Sequence, residues 1–495
     1  MAKVGFRLAL LAGGAAAVAA GPARADTLQQ ALTDAYRTNP TLLAARANQR
    51  ATDEDVPLNR SSGLPTASIS PSYTEFLKQS GDAGFASPPR SLGATLDLSV
   101  PLYSGGSVRN SVNAAETRVK AGQADLRGTE SSVFTQVVAA YMDVILDEAV
   151  VGLSLQNVDM LQVNLQATQD RFQIGDLTRT DVAQSESRLA LARGDLRTAQ
   201  ANLAAARERY IEQVGKAPQD LQAPPPLPGL PADVEDAVAV ALENNPDLIG
   251  ARERSKAAGY DVEAAGAGRL PQISLFASGG YTNYLGSLTF VPGTGIDGQG
   301  ATTAQAGVRA TIPLFQGGRP AAQERQAQDR ESAALEQEVG TERGIISQVR
   351  AAWSSLEAAN AIVASTQTAV SAAELSLEGV RAENTVGNRT ILDILNAQQE
   401  LLSAQVQLVT ARRNAYVAGF SLLAAMGHAE ARDLGLGDQT LLYDPDVNYR
   451  RVKNKIWDWA SDPDPVTQAT RTVDTPAQTG DIPPQQNATG QSTGQ

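Results

Sequence analysis

Cysteine is absent from the 495 residues, which removes disulfides, thiolate metal sites, thiol nucleophiles and the lipidated N-terminal cysteine of a lipoprotein. Histidine occurs once, at His428, and no HExxH, GxSxG or phosphate-cradling GxxxxGK motif accompanies it. Little is left for catalysis or for a metal. Positive charge is outnumbered, 41 Lys and Arg against 54 Asp and Glu, giving a formal charge of −13, so a nucleic acid or other polyanion would meet repulsion. Aromatic residues are only 5% of the chain. Beyond residue 25 no run approaches the roughly 18 apolar residues that a membrane-crossing helix needs. Membrane residence would have to use strands.

The first 25 residues have the form of a secretory signal peptide: Lys3 and Arg7, an apolar run from Leu8 to Ala20, then Ala23-Arg24-Ala25 as a small-residue cleavage site. Export without cysteine suits a bacterial envelope protein. Ala, Gln, Leu and Val dominate the middle of each half of the chain, and no proline lies between Pro101 and Pro218 or between Pro320 and Pro445. Long helices packed side by side fit this better than compact globules. The stretch APPPLPGLP, Ala223 to Pro231, marks a stiff linker.

The chain is written twice. PLYSGG at Pro101 returns as PLFQGG at Pro313, 212 residues on, and the same offset relates Gly175 to Gly387, Asp181 to Asp393, Tyr141 to Trp353 and Gly215 to Gly427. Upstream, NPTLLAAR at Asn39 matches NPDLIGAR at Asn245, and LPTAS at Leu64 matches LPQIS at Leu270, both at an offset of 206. The six extra residues fall between Leu270 and Pro313, in the turn-rich GSLTFVPGTGIDGQG. The expected organisation is therefore a signal peptide (1–25), repeat 1 (26–217), linker (218–232), repeat 2 (233–430), a C-terminal segment (431–460) and a disordered tail (461–495), whose Pro, Gln, Thr and Ser leave few apolar anchors.

Each repeat alternates with period two in one place. Leu92, Ala94, Leu96, Leu98, Val100 and Leu102 interleave with polar neighbours, and Ala304, Ala306, Val308, Ala310, Ile312 and Leu314 repeat the scheme. Strands are expected at about 64–78, 90–103, 270–284 and 303–315, one hairpin per repeat, each with an apolar and a polar face. Four such strands cannot close a membrane barrel, which takes about eight or more. Either the sheet is soluble, with its polar face toward water, or several chains pool their strands.

Helices are expected at about 106–172, 178–215, 319–384 and 390–427. Val137, Val144, Val151, Val158, Leu165 and Phe172 recur every seven residues, as do Val349, Leu356, Val363, Val370 and Leu377, the spacing of helices packed as in a coiled coil. The returning helices carry Val182, Leu189, Leu196, Leu203 and Tyr210, matched by Ile394, Leu401, Leu408, Ala415 and Leu422.

A duplicated unit of hairpin, very long helix, glycine turn and returning helix, with PLYSGG, PLFQGG and the turn VGNRTILDILNA (Val386 to Ala397), resembles the TolC family of outer-membrane efflux proteins from about Thr27 to Trp459. The tail LYDPDVNYRRVKNKIWDW, Leu442 to Trp459, resembles that of alphaproteobacterial members, where 431–460 would lie at the equator. The resemblance implies a homotrimer in the outer membrane whose twelve-stranded β-barrel, four strands from each chain, continues as a helical tunnel through the periplasm. It implies an exit duct for small molecules or drugs, or for type I protein secretion, without cofactor or catalysis. Its partners would be outer-membrane lipid, a periplasmic adaptor (membrane fusion protein) and an inner-membrane transporter of the RND or ABC kind. The competing reading is a periplasmic or surface coiled-coil protein without a channel.

Carried onto this chain, the family's closed tip falls on VGNRTILDILNA. Asp393 matches the first aspartate of the aperture ring, while the second ring position is Asn396, which halves the expected charge. Arg389 matches the arginine that holds the neighbouring hairpin, Thr180 and Asp181 match its partners, and the lock's tyrosine corresponds to Asn384. Gly175 and Gly387 would present the tip to the adaptor. Asp181 and Asp393 also sit in the first turn of a helix, where a carboxylate stabilises the N-terminus in any case, and glycine ends helices without any docking role.

Overall fold

The computed structural model describes residues 26–78, 88–287, 298–436 and 442–482. The signal-peptide reading of residues 1–25, and positions 288–297 of the insertion segment, lie outside them. Repeat 1 consists of helices α1 (Leu28–Thr38), α2 (Pro40–Asp53) and α3 (Asp55–Ser61), strands β1 (Thr66–Glu75) and β2 (Arg90–Tyr103), and helices α4 (Ser107–Gln173) and α5 (Arg179–Val214). Repeat 2 consists of α6 (Val234–Asn244), α7 (Pro246–Gly266), β3 (Gln272–Asn283), β4 (Gly300–Thr311), α8 (Arg319–Thr385) and α9 (Ile391–Met426). A short helix, α10 (Pro445–Val452), comes next.

The offset seen in the motifs reappears in the helix bounds: α4 and α8 each have 67 residues, and α5 and α9 each have 36. At 1.5 Å per residue the long pair reaches about 100 Å. Helix α7 runs unbroken, whereas its counterpart in repeat 1 is divided at Glu54 into α2 and α3. Pro57 stands where repeat 2 has Glu263, and a proline nitrogen cannot donate to the preceding turn, so the helix restarts with proline inside its first turn.

The four strands form one antiparallel sheet in the order β1-β2-β3-β4. Its register puts Ile69, Leu96, Gly279 and Ala304 in one row and Ala67, Leu98, Ala277 and Ala306 in the next. The intervening rows carry Ser68, Asp97, Ser278 and Gln305, and Ser70, Thr95, Gly280 and Thr303. One face is thus apolar and the other polar, as the alternation predicts. The last strand stops at Thr311, short of the expected 315, because Pro313 has no amide hydrogen for the ladder. Strand β2 passes its own Pro101 only through an irregularity between Pro101 and Tyr103. Among the described residues, β1 and β4 each pair on one side alone.

The largest core lies where α1 crosses α4 and α5, with Phe134, Tyr141, Val144, Leu203 and Tyr210 buried among Leu32 and Tyr36. Each such side chain contributes about 1.5–3 kcal/mol by leaving water. The Tyr141 hydroxyl lies 2.6 Å from the Gln222 carbonyl oxygen, and the Gln222 amide donates to Asp26. The linker is thereby tied to the first described residue. Ion pairs join α4 to α7 through Arg118 with Asp261 and Arg254 with Asp125.

A duplicated asparagine closes the base of each repeat. Asn39 accepts from the Thr41 and Leu42 amides at the start of α2 while its Nδ2 donates to the Gln213 carbonyl near the end of α5, at 3.0 Å. Asn245 does the same for α7 and the Ala425 carbonyl of α9, at 2.9 Å.

The tail differs from the expected free chain. No helix or strand forms from 461 to 482, yet Arg207 of α5 donates to the carbonyls of Thr479 and Asp481 at 2.6 and 3.0 Å, and Glu208 accepts from the Gln478 amide. Gly480 lies so close to Gln200 that a Cβ would collide with its backbone, and Ile482 packs against the main core. These anchors are backbone carbonyls, an absent side chain and one isoleucine, none of which composition reveals.

Candidate functional site

Far from the sheet, each repeat ends in a helix hairpin. In the first, the Gly175 amide donates to Phe172 and the Asp176 amide to Arg171; in the second, Gly387 donates to Asn384 and Asn388 to Glu383. Both glycines take positive φ, 84° and 81°, the left-handed conformation that satisfies the last carbonyls of a helix. A Cβ at either would meet open space. The backbone angle, not crowding, requires glycine there.

The chain then turns into a reciprocal cap. Thr178 Oγ1 accepts from the Asp181 amide while Asp181 Oδ2 accepts from the Thr178 amide at 2.9 Å, and Thr390 with Asp393 repeats the arrangement at the same distance. These bonds hold Asp393 below its ordinary pKa of 3.8, the Thr390 backbone bond first, and Asp181 likewise through the Thr178 hydroxyl. The carboxylates are ionised throughout the neutral range. Each cap engages Oδ2 only, leaving Oδ1 without a hydrogen bond among the described residues.

Packing decides which way α9 presents Asp393. Ile394 and Ala397 pack on Leu377 of α8. Leu395, 2% exposed, inserts among Val158, Leu161, Leu189 and Ala192 of the other hairpin. With 3.6 residues per turn these contacts take two sectors of the helix, and the remaining sector carries Asp393, Asn396 and Glu400. Asn396 and Glu400 are exposed. Asn396 Oδ1 accepts from Arg188 of α5 at 2.9 Å, and Gln398 accepts from Asn164 of α4 at 3.0 Å. Leu395 and these two bonds join the hairpins of one chain.

The lock residues share the tip, and within one chain Arg389 and Asn384 are bonded on their own hairpin. Arg389 Nε donates to Glu383 at 2.7 Å, on its own hairpin. Within one chain it has no bond to Thr180 or Asp181. Asn384 Nδ2 donates to the Arg389 carbonyl at 2.7 Å and closes the turn, and Thr180 is exposed in the first turn of α5. The first tip is braced in the opposite sense, Arg171 on the helix holding Asp176 on the turn. Glu383, Arg188 and Glu400 escaped the sequence reading, because charges on a long helix look like a solvated face. Glu400 had a signal, standing one heptad beyond Asp393.

Among the described residues no helix is long and apolar enough to cross a membrane, which says nothing of strands. The family profile for outer membrane efflux proteins matches residues 31–215 and 237–428. The chain is 36% identical over 435 residues to the outer membrane efflux protein BepC of Brucella suis, covering 88% of this chain and 92% of that one. It is 26% identical over 424 residues to the outer membrane protein TolC of Escherichia coli, covering 83% and 84%. Among solved structures, the outer membrane protein VceC of Vibrio cholerae superposes with a TM-score of 0.68 at 24% identity, over 81% of this chain and 96% of that one. With the match spanning both repeats from α1 to the end of α9, and a two-faced sheet at the other end from the capped tips, the chain belongs to the outer membrane efflux protein family and is an efflux channel of the outer membrane that extends into the periplasm.

Proposed function

We propose that three copies of the chain close one twelve-stranded barrel and one helical duct, whose periplasmic tip is gated by VGNRTILDILNA. The observation that carries this reading is the sheet: four strands with one apolar face and two edges, β1 and β4, each pairing on one side only. Unpaired edges in a membrane leave backbone groups unsatisfied, and a ring of chains that pairs β4 of one with β1 of the next removes every edge. Three fours meet the minimum for a barrel; one four does not.

At the tip, Asp393 caps α9 with Oδ2 and offers Oδ1 to the axis, beside Asn396. Three carboxylates around the axis attract cations at the constriction. Arg389 exchanges Glu383 for the Thr180 and Asp181 region of the adjoining hairpin, a forked donor suited to carboxylate and hydroxyl oxygens, while Asn384 keeps the turn closed. The turns at Gly175 and Gly387 receive a periplasmic adaptor, which links the duct to an inner-membrane transporter of the RND or ABC kind. The duct passes small molecules or secreted proteins and needs no catalytic group. Heat-resistant trimers in detergent-extracted outer membrane, together with single-channel conductance in planar bilayers, are the expected result. A soluble periplasmic monomer would establish the coiled-coil reading instead.

A further inference from the structure

Beyond the barrel and the tip, the chain keeps an apolar cluster out of its core. Ile456, Trp457 and Trp459 are 71, 72 and 85% exposed, although the whole protein has three tryptophans. They lie on a loop that is built rather than frayed. Arg451, in the last turn of α10, holds the Asp462 carboxylate through both oxygens at 2.7 and 2.8 Å, and the Lys455 amide donates to Val452 while the Ala460 amide donates to Trp457. The loop is closed at its base, and its apolar residues are exposed.

Its position is set by its neighbours. Ile456 and Trp457 line a cleft with Leu64, Pro65, Thr66 and Ala67, the root of β1. This is the strand end joined to the helices, so the last part of the 431–460 segment, expected at the equator, sits instead beside the root of the sheet, where the membrane gives way to the periplasm. Among the described residues, two nearby cations have no carboxylate in ion-pair contact. Arg60 donates to the Lys453 carbonyl and to Asn454 Oδ1, and Lys453 Nζ lies over the Tyr449 ring. Exposed tryptophans beside unpaired cations, at the boundary of a membrane-spanning sheet, match the interface between acyl chains and phosphate headgroups. Indole has an apolar body with a polar N–H, and Arg and Lys reach phosphate oxygens from an apolar stem.

We propose that the loop from Lys453 to Ala460 is a membrane-interface anchor, with Trp457, Trp459 and Ile456 seated in the periplasmic leaflet of the outer membrane and Arg60 and Lys453 on phospholipid phosphates. It rests on the membrane placement of the sheet and is independent of the gate. Each chain thereby adds a non-strand contact to the bilayer at the root of the barrel, fixing how deep the strands sit.

The full chain carrying Trp353→Phe, reconstituted in phosphatidylethanolamine and phosphatidylglycerol vesicles, reports only Trp457 and Trp459. The expected result is strong quenching by lipids brominated near the headgroup end of the acyl chain, weaker quenching by lipids brominated near the chain terminus, and little by aqueous acrylamide. Should Trp353→Phe fail to assemble, the wild-type signal minus that of Trp457→Phe/Trp459→Phe gives the same quantity. Acrylamide quenching without bromolipid quenching would overturn the anchor, since the loop would face water. Quenching by neither would also overturn it, since a neighbouring protomer would cover the rings. Conductance of the same vesicles separates these outcomes from a barrel that does not insert, which would remove the membrane placement and the anchor together.

Discussion

Arg389 is bonded to Glu383, six residues back on its own hairpin, at 2.7 Å. The lock proposed for this arginine lies between hairpins, so the two bonds would compete for one guanidinium. Both partners are about half exposed. Solvent screening keeps either bond weak enough to exchange, which suits the proposed gate.

Replacing Arg389 by Ser removes both bonds and is expected to raise basal conductance and antibiotic leak several-fold. Glu383→Gln removes the competitor alone, so conductance should fall below that of the wild type. Planar-bilayer recording of correctly inserted trimers reads both. Equal conductance in the three proteins would take Arg389 out of the lock.

Asp393→Ala should weaken block by multivalent cations added on the periplasmic side. Because hydrogen bonds from Thr390 hold the Asp393 pKa below 3.8, the carboxylate stays charged as pH falls from 7 to about 5 and loses charge only as pH approaches its lowered folded value. The block should therefore persist unchanged over that range and fade below it. A block that already fades near pH 6 belongs to another group.

The repeat was legible because it is written in motifs whose spacing survives: one offset of 212 fixes α8 and α9 from α4 and α5. The strand faces were legible because period two is a property of neighbouring residues. What escaped depends on residues far apart in sequence. Arg188 with Asn396 needs the packing of α5 on α9, and Leu395 reads as one more heptad neighbour until α9 meets the other hairpin. The tail escaped for a different reason, because Arg207 binds its backbone carbonyls, which every sequence possesses. The proposed gate lies between chains, so its partners cannot be read from one chain.

Glu130 on α4 accepts from the Ala431 amide at 2.6 Å, but burial dominates and pushes its pKa up from 4.5 to about 7, with Glu430 adding to it and Arg46 opposing. A raised carboxylate binds more protons folded than unfolded, so its contribution is most favourable at low pH and is lost as pH rises from 4.5 through about 7. Over that span the loss is roughly 3 kcal/mol. Glu130→Gln keeps an acceptor for Ala431 and carries no charge. Its unfolding midpoint should match the wild type at pH 5 and exceed it at pH 8, read by thermal melts across that range. A constant difference at all pH values would show that Glu130 is not the titrating group.

Asn245 joins the start of α7 to the end of α9 through two atoms with opposite roles, Oδ1 accepting and Nδ2 donating to the Ala425 carbonyl at 2.9 Å. Aspartate caps helices as well as asparagine does, so Asn245→Asp retains the first role and removes only the second. The buried Ala425 carbonyl would then face a carboxylate oxygen instead of a donor, a loss of about 1–3 kcal/mol. Asn39→Asp should act alike on the Gln213 carbonyl in repeat 1. Chemical denaturation of the two variants beside Asn245→Ala separates the roles, since alanine also loses the cap, a further loss of about 0.5–2 kcal/mol. If Asn245→Asp is as stable as the wild type while Asn245→Ala is not, the cap alone matters, and the link between the base of α7 and the end of α9 contributes nothing.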